Sequence, residues 1–164
     1  MPTAAVRQSA SAGASDVGTS ISATFSAGHG GNGYYHTFVV AVLHDQPGSN
    51  VQSISGITGL EMDWTLAEVI NHPGQPLTLE VWVAQKEYGL VGESARTLTA
   101  NFANSTKAVI AIVELTGVAA NIHGINPLDK EASNTGFSTA VDSGTTATTG
   151  RDHEYWMAFF ASGT

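Results

Sequence analysis

The chain has 164 residues, a net charge of −8 at neutral pH and a charged fraction of 12%, about half the usual ~25%. Its six Lys and Arg residues are scattered singly, which argues against nucleic acid as a partner. The absence of cysteine excludes disulfides, thiolate nucleophiles and cysteine-ligated zinc; the longest apolar run is too short to span a bilayer, and no N-terminal apolar core marks a signal peptide.

Residues 1–19 are rich in Ala, Ser, Gly and Thr and have no hydrophobic period, so they read as a flexible arm ahead of one domain over residues 20–164. Small residues let such an arm lie against a neighbouring subunit. The first strand is expected at Ser20–Ser26, with Ile21, Ala23 and Phe25 on one face. Gly28 to Gly33 is a glycine-rich turn without the following helix that phosphate binding needs. Tyr34–Leu43 holds a near-continuous apolar run from Phe38 to Leu43, the pattern of a strand covered on both faces. Asp45–Asn50 is a turn, Val51–Ile57 a short strand, and Met62–Ile70 a further strand with Met62, Trp64 and Leu66 on one side. After the Asn71–Pro76 turn, Leu77–Lys86 alternates Leu77, Leu79, Val81 and Val83 against Thr78, Glu80 and Trp82. That places Trp82 opposite the aliphatic face, where it can pack across a sheet edge or against a partner.

Arg96–Val118 is the most strongly patterned stretch. Leu98, Ala100 and Phe102 alternate with polar residues, Asn104–Thr106 has turn composition, and Ala108–Val113 is apolar on both faces. It reads as a hairpin whose return strand is central and covered on both sides. Residues 119–136 have no strand period. A Thr-rich strand is expected over Ser138–Thr148 and a last buried strand over Tyr155–Ala161. About nine strand candidates and no helix predict an all-β, antiparallel, jelly-roll-like β-sandwich. The expected core contains Phe38, Val40, Val42, Trp64, Leu98, Phe102, Ile110, Ile112 and Phe159.

Three stretches occur in an order that resembles a broad group of phage and prophage β-sandwich virion proteins: Trp64–Leu66, Val81–Ala84 with the loop of residues 89–93, and Ala108–Val118. Asn126–Asp129 and the apolar segment ending Phe160-Ala161-Ser162 extend the likeness. The resemblance implies a structural virion component, a capsid decoration or head-associated protein, with a tail component as its near variant. It implies other virion proteins as partners, a homo-oligomer for which a trimer would suit decoration, and a virion location after assembly in the host cytoplasm. In that pattern further strands commonly follow Phe160–Ser162, so the sandwich is expected to be incomplete at its C-terminal end.

The chemistry-bearing residues point to no enzyme. None of the six histidines stands at ligand spacing, and His29, His36, His44, His72, His123 and His153 read as exposed turn residues. Glu61 and Asp63 share a strand face at ~6–7 Å, but no calcium loop surrounds them and they read as a solvated strand start. There is no GxSxG elbow. No cofactor or metal is expected. The alternative function is a glycan-binding module or adhesin, in which Tyr34, Tyr35, Trp82 and Tyr88 stack on sugar rings.

Overall fold

A computed structural model describes residues 5–13, 16–25, 36–56, 62–86, 96–118, 128–136, 140, 142–148, 150 and 155–161. Among the described residues there are eight strands: β1 (Ala5–Gly13), β2 (Gly18–Phe25), β3 (His36–His44), β4 (Val51–Gly56), β5 (Thr65–Asn71), β6 (Thr78–Lys86), β7 (Arg96–Thr106) and β8 (Ala108–Thr116). They form a five-stranded sheet in the order β1-β8-β3-β6-β5 and a three-stranded sheet in the order β2-β7-β4, antiparallel throughout. The chain is therefore an antiparallel β-sandwich.

The topology is that of a jelly roll. Winding one long antiparallel ribbon of eight strands pairs the first with the last, the second with the seventh and the third with the sixth, and those three ladders are present. The innermost pair departs from the pattern. β5 does not join β4 but stays beside β6, which leaves the sheets unequal. Met62 and Trp64, ahead of β5, fold onto the core as half-buried side chains.

The core follows from period-2 alternation on the two inner faces. Phe38, Val40 and Val42 of β3 and Ile110 and Ile112 of β8 meet Ile21, Ala23 and Phe25 of β2 and Leu98, Ala100 and Phe102 of β7. Phe25 and Phe38 pack with ring centroids 6.1 Å apart. A smaller cluster lies on the outer face of the large sheet, where Val39, Val83 and Leu115 are covered by Met157 and Phe159. β3 is thus covered on both faces, as its apolar run predicts. Of the expected core residues, Trp64 and Phe159 are only half-buried.

Four expectations are corrected. Ala5–Gly13, placed in the flexible arm, is an edge strand of the large sheet, paired with β8 of its own chain. Ala10 and Ala12 face the core there; they are too small to print a hydrophobic period on the sequence. Second, β7 and β8 are not a hairpin. Lys107 is a corner at which the chain crosses from the small sheet to the large one, and Asp45 fixes it by accepting from the Lys107 amide at 3.0 Å and the Thr106 hydroxyl at 2.5 Å. Third, β8 is central but covered on its outer face only toward its end, where Leu115 is buried, since Val109 on that face is 47% exposed. Fourth, Tyr155–Ala161 and the described part of Ser138–Thr148 are not strands.

Edge geometry also bears on association. β1, β4 and β5 each carry one extra residue against the neighbour, at Arg7, Gln52 and Ala67, whereas the two ladders of β3 run unbroken over its whole length. Bulges of this kind twist an edge away from flat pairing with another chain.

Candidate functional site

Two buried histidine–glutamate pairs stand at opposite ends of β3. His36, Phe38, Val40, Val42 and His44 share one face because strand side chains alternate, so both histidines enter the sandwich with the core residues. Both are buried, and the expectation that they are exposed turn residues is corrected. At one end His44 Nε2 donates to Glu80 Oε1 at 2.9 Å. Its Nδ1 accepts from the Gln46 amide at 3.3 Å, which fixes the proton on Nε2. Glu80 is 0% exposed. It also accepts from the amides of Asn50 (2.7 Å) and Val51 (3.1 Å), the Ser49 hydroxyl (3.2 Å) and the Trp82 indole N–H (3.2 Å). Burial pushes this carboxyl up, but His44 and the Val51 and Asn50 amides outweigh it and hold the group below its ordinary value.

At the other end His36 Nδ1 donates to Glu114 Oε1 at 2.5 Å. Gln8 donates to Glu114 Oε2, and Arg7 lies 3.7 Å from Oε1. The bulge at Arg7 lets two successive residues of β1 reach the same carboxylate. Burial again raises the Glu114 carboxyl, and His36, Gln8 and Arg7 pull it below the usual range.

Glu80 ties the large sheet to the start of β4 in the small one through Val51, and Glu114 ties the edge strand β1 to β8 and β3 within the large sheet. In the Ser49–Glu80–His44 triple the carboxylate is the middle member, and His44 Nδ1 already accepts an amide proton. The imidazole therefore does not face the serine hydroxyl, as nucleophile activation requires. Among the described residues, no three His, Asp or Glu side chains form a metal-binding group.

Of the residues selected from sequence for glycan contact, Tyr34, Tyr35 and Tyr88 lie outside the described residues. Trp82 is half-buried against the main core with its indole N–H on Glu80. Of the acidic pair, Asp63 is exposed and Glu61 lies outside the described residues, as do His29, His123 and His153.

The exposed aromatics lie elsewhere. Residues 155–161 run over the outer face of the large sheet, with Met157 and Phe159 packed onto it. Trp156 and Phe160 are turned to solvent at 62% and 60% exposure. The doubly apolar sequence of this segment suggested a buried strand, and period-2 alternation was the signal that could have separated its two faces. A cleft of about 120 Å³ opens at its Phe160 end. No protein-family model, curated protein or solved structure matches the chain.

Proposed function

We propose that this chain is a structural component of a phage virion, a capsid decoration or head-associated protein that coats or cements neighbouring subunits. The observation that carries the reading is the jelly-roll ladder β1·β8, β2·β7, β3·β6, an architecture used for capsid domains and also for lectins. The warrant is fold-level analogy, joined to the resemblance of Trp64–Leu66, Val81–Ala84 and Ala108–Val118 to phage β-sandwich proteins. In this role the sandwich is a rigid block and its function mechanical. Low surface charge suits a surface covered by neighbours, and Val6, Leu66 and Val109 are exposed apolar side chains on the large sheet that such neighbours would cover. Its partners are other virion proteins and further copies of itself, a trimer being suited to decoration, and its location is the virion after assembly in the host cytoplasm.

Purifying particles from the producing cell tests this directly. The chain should sediment with intact particles at a fixed copy number after a salt wash. Particles that lack it while it stays in the soluble fraction would reject the reading.

A further inference from the structure

The outer layer of the large sheet carries a feature that the assembly role does not use. In the segment covering that sheet, Trp156, Ala158 and Phe160 are exposed while Met157 and Phe159 are half-buried. An extended chain advances about 3.3 Å per residue, so the two aromatic rings are anchored roughly 13 Å apart. Ala158 between them is too small to obstruct a ligand lying across both. Phe160 also lines the small cleft, whose floor is the aliphatic end of the sheet, Ile70 and Leu79.

The rim of the cleft is polar and comes from two separate segments. Ser133 and Asn134 come from one, Asp142 and Ser143 from the other. The two are seated together at Gly144, which has φ +79°, and a Cβ there would lie 3.3 Å from the Ser133 carbonyl oxygen. A side chain at that position would be strained and would push the rim apart. Asp142 Oδ1 accepts from the Gly144 amide at 2.8 Å, leaving its second oxygen for another donor.

The geometry points to a carbohydrate-binding site formed by Trp156, Phe160 and the Asn134–Asp142 cleft, with a short neutral oligosaccharide as its ligand. A sugar ring has an apolar C–H face and an equatorial belt of hydroxyls, and the site offers both complements. Trp156 and Phe160 are exposed aromatic side chains, and carboxylate, amide and hydroxyl side chains line the cleft together with aliphatic ones. The cleft has room for one small ring or part of one, and Trp156 receives a unit further along the chain. A net charge of −8 and the carboxylate in the rim disfavour anionic sugars. This inference does not depend on the virion role.

The full chain is titrated with tetraoses of β-1,4-glucose, α-1,4-glucose, β-1,4-mannose and β-1,4-N-acetylglucosamine. Binding is followed by tryptophan fluorescence and calorimetry. At least one should bind with Kd in the millimolar range or tighter and perturb the emission of Trp156, the indole most open to water. Trp156→Ala and Phe160→Ala should each weaken it about three- to tenfold. Asp142→Asn, which keeps an acceptor for the Gly144 amide, should weaken binding without changing the melting temperature. Failure of all four sugars to bind would overturn the proposal. So would equal binding by the three variants, or self-association of the chain abolished by Trp156→Ala, which would make the strip a contact between copies.

Discussion

The two buried glutamates of the large sheet occupy opposite ends of one inner face, yet they are held by different kinds of partner. Besides the side chains of His44, Ser49 and Trp82, Glu80 holds the main-chain amides of Asn50 and Val51, where the loop after β3 enters β4, the same loop that anchors the Lys107 corner through Asp45. Glu114 is fastened by side chains, two of them from the terminal strand β1, and Arg7 keeps 20% of its side chain in water. One end of the sandwich is closed by the backbone and the other by a strand that can trade its contacts for solvent.

Substitution at Glu80 should have the largest effect. Glu80→Ala strands the buried His44 and two amides, and is expected to cost about 3–5 kcal/mol in urea unfolding. Glu114→Ala strands the buried His36 but no main-chain amide, and should cost less, about 1–3 kcal/mol, because Arg7 and Gln8 can rehydrate once released. A larger loss at Glu114 than at Glu80 would reverse the comparison. Both carboxyls are held below the ordinary glutamate value near ~4.3. Their contribution is therefore complete above that pH and is lost as pH falls through it and below. Stability measured between roughly pH 5 and pH 3 should fall for the native chain and fall less steeply for Glu80→Gln and Glu114→Gln. Parallel curves for all three would mean that neither carboxyl changes its proton affinity on folding.

How legible this was in the sequence depended on side-chain size and phase. β3, β6, β7 and β8 announce themselves because large apolar residues recur at period 2, and the turns holding Gly48 and Gly74 adopt the positive φ their composition implies. β1 does not, because its core-facing residues are Ala10 and Ala12. The crossing at Lys107 could not be separated from a hairpin, since a short polar link serves both, and only the pairing of β7 with β2 and of β8 with β1 decides it. His36 and His44 were readable in principle. They keep phase with Phe38, Val40 and Val42, and Glu114 keeps phase with Ile110 and Ile112, but a polar residue at a strand end also suits a turn. Alternation sets Trp82 opposite Leu79, Val81 and Val83, but that face is the inner one, so Trp82 packs on the core beside Glu80 and not at an edge or against a partner. Trp156 and Phe160 were hidden in a segment apolar enough to pass for a buried strand.

The account turns on β1 being part of the sandwich in the isolated chain, and amide hydrogen exchange tests that most directly. In the ladder with β8, the alternate amides between Gln8 and Gly13 that point at β8 should be protected well above unstructured rates in dilute solution. Glu114→Ala should lower that protection while leaving β6 protected. Exchange of the same amides at the rate of an unfolded peptide, with β3 and β8 still protected, would contradict it.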